Sequence, residues 1–141
     1  MCGDNSLRAS VRIPLVVFAV MSLLMSVRTT IRVAAQTSKF HNVPASAAQT
    51  KNPYSGDAQA AAGGKKLYAQ NCAQCHGNNL QGMGPAPSLL SSKVKHAAPG
   101  ELFWFVSNGD LNNGMPGWSQ LPKPERWQIV TFLESKNAAG Q

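Results

Sequence analysis

Asn71-Cys72-Ala73-Gln74-Cys75-His76-Gly77 sets two cysteines three residues apart and follows the second at once with a histidine. Positions i and i+3 of a helical turn share a face, so both sulfurs point the same way and the imidazole leaves from the end of the turn. Several chemistries use cysteines at this spacing. A thioredoxin-like dithiol belongs after a strand in a βαβ pattern, and the chain has no alternating, β-rich run. A zinc site needs a fourth ligand, and no second knuckle supplies one. A structural disulfide across so short a loop would contribute little.

The reading that fits is the attachment signature of c-type haem. Cys72 and Cys75 are expected to form thioethers to the two vinyl groups of one haem, with His76 as an axial ligand of the iron. One covalently bound haem c is therefore the expected cofactor, and no other metal is called for.

The opposite face of the iron needs its own ligand. Of the five methionines, Met1, Met21 and Met25 lie in the N-terminal apolar region, and Met83 is only seven residues past His76, too tethered to cross the ring. Met115 stands 39 residues downstream within Asn113-Gly114-Met115-Pro116-Gly117-Trp118. Gly114 and Pro116 shape a loop from which a thioether can project inward, so Met115 is the expected distal ligand; the rivals are a core role for Met115 and ligation by His96. His/Met ligation fills both axial positions and raises the potential. It suits outer-sphere electron transfer and leaves no open site for a substrate.

Outward from the motif, the pattern is helical. Asp57 is a good N-cap for a helix over Ala58 to Gln70. Gly63 and Gly64 sit inside it, each costing about 1 kcal/mol against Ala, which suggests another element crossing close to the backbone. Residues 77–92 read as loop. Pro99-Gly100-Glu101 opens a second helix carrying Leu102, Phe103, Trp104, Phe105 and Val106, stopped at Asn108-Gly109. A last helix from Pro124 to about Lys136 carries Trp127, Ile129, Val130, Phe132 and Leu133 as a broad apolar stripe. The fold class is all-α: three or four short helices around one haem.

The chain has 141 residues, net charge +7, 12 glycines and nine prolines. A domain this small and loop-rich gains from a cofactor that completes its core. Four arginines stand against one aspartate in residues 1–35, and the remaining basic charge is thinly spread. No basic stripe interleaves with aromatics, which argues against nucleic acid as a partner. Ile13 to Val27 is a 15-residue apolar run, short for a span and suited to a signal-peptide core. Val33-Ala34-Ala35 offers a cleavage site before Gln36, whereas Arg28 and Arg32 leave room for an uncleaved anchor. Residues 1–35 are thus expected to be a signal peptide or an N-terminal membrane anchor, and either exports the rest. Residues 36–56, with His41, read as a flexible linker, 57–137 as the haem domain and 138–141 as a tail.

From Asp57 to Lys136 the sequence resembles the class I monohaem cytochromes c. In that family a glycine and an aromatic precede the first haem cysteine by eight and four residues, and Gly64 and Tyr68 stand there. The resemblance implies that the last helix crosses the first at Gly64, with Trp127, Val130 and Leu133 as its contact face. It implies that Pro87, in Pro87-Ser88-Leu89, turns its carbonyl to the Nδ1–H of His76, with Pro85 as the alternative, and that Leu89 packs beside it. Gly114 to Trp118 resembles the distal-ligand loop of bacterial members, where Trp118 either meets the haem or is a core aromatic.

The segments Asn52-Pro53-Tyr54-Ser55-Gly56-Asp57 and Glu101-Leu102-Phe103-Trp104 are similar to small periplasmic cytochromes that accept electrons from quinoprotein dehydrogenases; Trp104 is also expected among the residues packing on the haem. The implied role is a periplasmic single-electron carrier between such a dehydrogenase and an oxidase or other cytochrome. Docking would use the haem edge near Cys75, Ala86 and Met115, with Lys65, Lys66, Lys93 and Lys95 free to steer an acidic partner. The alternatives are a haem peroxidase or gas-binding protein with an open sixth site, and a fixed cytochrome subunit of a membrane complex.

Overall fold

The computed structural model describes Phe40 and residues 42–138. The expected leader, His41 and residues 139–141 lie outside the described residues. Among the described residues five helices follow in order: α1 (Ala58–Asn71), α2 (Ala73–His76), α3 (Ser92–Lys95), α4 (Pro99–Asn108) and α5 (Lys123–Ala138). Short 3₁₀ turns occupy Ala47–Gln49 and Leu111–Asn113. Among the described residues there is no sheet; only two isolated bridges occur, Met83 with Ala86 and Asp110 with Met115.

The caps explain where the helices begin. Asp57 Oδ1 accepts from the backbone N–H of Gln59 at 2.8 Å and of Ala60 at 3.0 Å, satisfying two of the donors that a helix start leaves over. At α4, Pro99 takes the first turn, and the Glu101 carboxylate reaches back to the Ala98 N–H at 2.8 Å. Gly109, with φ +70°, ends that helix.

Helix α1 crosses α5 at Gly64. A Cβ on Gly64 would overlap the carbonyl oxygen of Gln128, while one on Gly63 would meet only the Gln128 side chain. The glycine cost in α1 is therefore offset by backbone-to-backbone packing at position 64. One turn on, the Tyr68 and Phe132 rings lie 5.4 Å apart, in a cluster with Ala73, Leu80 and Leu133.

A second cluster joins Val94, Leu102, Val106, Trp127, Ile129 and Val130. Phe103 stacks on Trp127 at 4.0 Å. Trp127 thus packs on α4, in a cluster that Leu67 of α1 also joins. The last helix also meets α1 through the backbone at Gln128 and through Phe132 and Leu133, which cluster with Tyr68. Residues 129–133 of α5 are buried in succession, because α1, α4 and the segment before α1 cover that helix from several sides.

The segment before α1 departs from the linker expectation. Val43 and Asn52 are buried, and the turn at Ala47–Gln49 lies on the start of α4, where a Cβ on Gly100 would overlap the Ala47 carbonyl. The Asn52 amide donates to Thr131 Oγ1 at 2.9 Å and to the Glu134 carboxylate. Its own Oδ1 accepts from the Tyr54 N–H at 2.9 Å. A Ser/Ala/Gln-rich composition hid one buried amide that ties residues 43–56 to α5. The loop over 77–92 also closes with a single helical turn, Ser92–Lys95, whose Val94 enters the core.

Candidate haem-attachment site

The site begins where α1 ends. Cys72 follows α1, and α2 is one turn, closed by the Cys75 N–H (3.1 Å) and the His76 N–H (2.9 Å) on the Cys72 carbonyl. Gly77 then leaves the helix at φ +78°. The Tyr68 hydroxyl donates to the Gly77 carbonyl at 2.7 Å, so α1 grips both ends of the motif. Burial, and secondarily the nearby Cys72, pushes the Tyr68 phenol up to about 12; it is a neutral donor at physiological pH.

Cys72 is half-buried, Cys75 is exposed, and neither is in a disulfide. Burial first, and Cys75 second, pushes the Cys72 thiol up to about 11. His76 is 8% exposed, and its Nδ1 lies 2.9 Å from the Pro87 carbonyl oxygen. A carbonyl only accepts, so Nδ1 carries the hydrogen and the lone pair sits on Nε2. That is the tautomer a metal-ligating histidine needs.

The loop between them is built to bring Pro87 there. Gly82, at φ +80°, donates its N–H to the His76 carbonyl at 2.8 Å. A Cβ on Gly82 would lie 2.6 Å from the Ala86 carbonyl oxygen and 2.8 Å from the Pro87 carbonyl carbon. The Leu89 N–H closes the loop on the Leu80 carbonyl at 2.8 Å. Leu89 is half-buried and touches both core clusters.

Met115 sits beyond α4 on a second closed loop. Asp110 donates its N–H to the Met115 carbonyl at 2.8 Å, and Met115 returns a bond to the Asp110 carbonyl at 3.0 Å. Met115 is half-buried. Trp118 donates its backbone N–H to the Val106 carbonyl at 2.9 Å and packs against the Val94–Leu102–Trp127 cluster. Trp104 is half-buried; its ring meets Phe105 edge-to-face at 5.6 Å, beside a shallow hollow bounded by Asn42, Gly109 and Leu111. His96 engages the Ser92 carbonyl through Nδ1 at 2.8 Å, and Met83 is 54% exposed.

The structure therefore brings Tyr68, Cys72, Cys75, His76, Pro87 and Leu89 into one continuous neighbourhood. Gly64 serves the helix crossing, and Trp104 lies to the side, next to the start of the Met115 loop. Among the described residues, no three His, Cys, Asp or Glu side chains group to hold a metal ion, the motif's own three included. These donors fit a haem: two unpaired thiols on one turn, and an imidazole whose tautomer is already set. The roles of Gly82 under Pro87 and of Asn52 as a buried tie to α5 escaped the sequence reading. The first left a trace in the glycine spacing of the loop; the second left none, because its partners are 79 and 82 residues away.

Fold and site together define a monohaem cytochrome c domain. The chain belongs to the family described as cytochrome c oxidase, cbb3-type, subunit III, whose model matches residues 59–133, a family of cytochrome c electron-transfer proteins. It is 36% identical over 76 residues to the cbb3-type cytochrome c oxidase subunit CcoP of Azospirillum brasilense, covering 49% of this chain and 25% of that protein. The match to CcoP of Rubrivivax gelatinosus is 33% over 70 residues, 49% of this chain and 23% of the relative. Cytochrome c550 of Pseudomonas aeruginosa is 35% identical over 92 residues, 60% of this chain and 61% of the relative. The chain thus spans about a quarter of the CcoP relatives and under two thirds of the cytochrome c550.

Proposed function

We propose that this protein carries single electrons in the periplasm on one haem c, joined by thioethers to Cys72 and Cys75, with His76 and Met115 as axial ligands. The observation that carries the reading is the His76 ring. Its Nδ1 is committed to the Pro87 carbonyl at 2.9 Å, which leaves Nε2 for the iron and fixes the ring plane. Met115 is favoured over His96 and Met83 because its backbone is pinned on both sides, whereas His96 is bonded to its own turn and Met83 points largely to water. Pro87, Leu89, Tyr68, Gly64, Trp118 and Trp104 support this centre, Trp118 through the core cluster it joins.

The electron donor in this reading is a periplasmic dehydrogenase, of quinoprotein type by the sequence resemblance; the acceptor is an oxidase or another cytochrome. The test of ligation and attachment is direct. Cys72→Ala with Cys75→Ala loses covalent haem, seen as absent haem mass after denaturation. Met115→Ala lowers the reduction potential and admits carbon monoxide to the ferrous iron. Covalent haem in the double variant, or an unchanged potential in Met115→Ala, contradicts it.

A second reading is favoured by the match to oxidase subunit III over residues 59–133: a cytochrome fixed in a membrane complex. It keeps the same site and differs in mobility. Co-purification with an oxidase through detergent and salt would support it, and recovery as a free periplasmic protein would exclude it.

A further inference from the structure

We infer that Gly109 and Gly117 are positioning residues for Met115, forming a side-chain-free backbone clamp that keeps its sulfur on the iron. This rests on the His76/Met115 reading proposed above. The stretches 107–110 and 115–118 run face to face with no side chain between them. A Cβ on Gly109, at φ +70°, would lie 2.5 Å from the Gly117 nitrogen, the Met115 carbonyl oxygen and the Pro116 carbonyl carbon. A Cβ on Gly117 would lie 2.8 Å from the Asn108 carbonyl oxygen and 2.9 Å from that of Ser107. All of these neighbours are backbone, which cannot swing aside as a side chain can.

Three backbone hydrogen bonds use this closeness. Asp110 and Met115 exchange two, at 2.8 and 3.0 Å, and Trp118 bonds the Val106 carbonyl at 2.9 Å. Val106 belongs to the buried face of α4, and the Trp118 ring packs in the same core cluster. Met115 is thus moored to the core on both sides. At the tip, Asn113 donates its backbone N–H to the Asp110 carbonyl at 3.0 Å and its side-chain amide to the Asp110 carboxylate at 2.8 Å.

The mooring matters because of what methionine is. A thioether is a neutral ligand on an unbranched side chain with three rotatable bonds. Its hold on iron depends on a backbone that does not drift. A clamp that parts by the width of one methyl group lets the sulfur leave, and a small exogenous ligand then takes its place. The clamp so decides whether this domain stays an electron carrier or becomes a ligand-binding haem protein.

The experiment uses the haem-loaded protein and three variants, with imidazole as the probe of the ferric iron and carbon monoxide of the ferrous. Gly117→Ala isolates crowding, since its backbone is not in the left-handed region. Gly56→Ala, at φ +80° with nothing within 4 Å, supplies backbone strain without crowding, outside the clamp. Met115→Ala sets the ceiling. Gly117→Ala is expected to weaken the long-wavelength sulfur-to-iron band and to bind imidazole roughly tenfold more tightly than the unchanged protein, while Gly56→Ala binds it as the unchanged protein does. If Met115→Ala does not open the iron, the ligand reading fails. If Met115→Ala opens it but Gly117→Ala does not, or Gly56→Ala does so equally, the clamp is overturned. Should Gly117→Ala not fold, amide exchange in the unchanged protein decides. The Asp110 and Met115 N–H groups should be protected and lose protection when imidazole binds; equal protection in both states overturns the proposal.

Discussion

The Nδ1 of His76 and the carbonyl oxygen of Pro87 lie 2.9 Å apart, although eleven residues separate them. Gly82 makes that approach possible, because any side chain there would strike the Pro87 backbone. An Nδ1–H···O bond places negative charge on the imidazole and favours the ferric state. Gly82→Ala is therefore expected to loosen it and raise the reduction potential. Gly84→Ala is the comparison: its φ is also positive, at +56°, but nothing lies within 4 Å of the added carbon. Its potential should match that of the unchanged protein. Redox titration of both variants checks this.

The two helical glycines of α1 should part company. Gly64→Ala forces a methyl group onto the Gln128 carbonyl, and overpacking of this kind costs about 1–3 kcal/mol. Gly63→Ala meets only the end of the Gln128 side chain at 2.9 Å, which can turn aside, and Ala gains about 1 kcal/mol of helix propensity. Denaturant melts should show a loss for Gly64→Ala, and no loss or a gain for Gly63→Ala.

Tyr68 gives a pH signature. Its phenol sits at about 12 in the folded protein, against 10.0 for an exposed tyrosine, chiefly through burial. The folded state therefore holds this proton more tightly than the unfolded chain. The contribution is intact below pH 10 and is lost as pH rises toward 12. Thioether formation removes the Cys72 thiol and leaves burial as the cause. Tyr68→Phe should lose about 1 kcal/mol at neutral pH, where the Gly77 carbonyl loses its donor, and should show a flatter decline above pH 10.

Asn52 tests whether the segment before α1 belongs to the domain. Asn52→Ala removes donors to Thr131 and Glu134 and the acceptor of the Tyr54 N–H. Losing a buried hydrogen-bonding partner costs about 1–3 kcal/mol. A lower melting temperature, with protease cutting within residues 43–56, is the expected outcome. Unchanged melting and unchanged cutting would show that the segment is dispensable.

These positions also show what the sequence could reveal. The cysteine–histidine spacing, the Asp57 cap, Pro99 and Asn108-Gly109 are local signals, and each helix they announce forms within a few residues of its expected bounds. The glycine pair in α1 was legible as a crossing because a mid-helix glycine has a cost that demands an offset, and the family resemblance singled out Gly64. The stacking partner of Trp127 was not, because a broad stripe on one helix does not say which neighbour each side chain meets. Trp127 stacks on Phe103 of α4. Asn52 was beyond reach, since a single amide in a polar stretch looks the same whether solvated or bonded to α5. Gly109 and Gly117 read as turn residues; their opposition across the Met115 loop exists only once the chain is folded.

The most direct test of electron transfer through a His76/Met115 haem is the optical spectrum of the matured protein in ferric and ferrous forms, with and without carbon monoxide. His76/Met115 ligation predicts a six-coordinate low-spin haem with the weak long-wavelength sulfur-to-iron band and no change on adding carbon monoxide. A high-spin ferric spectrum, or a ferrous form that shifts with carbon monoxide, would mean an open iron and would contradict the His76/Met115 electron carrier.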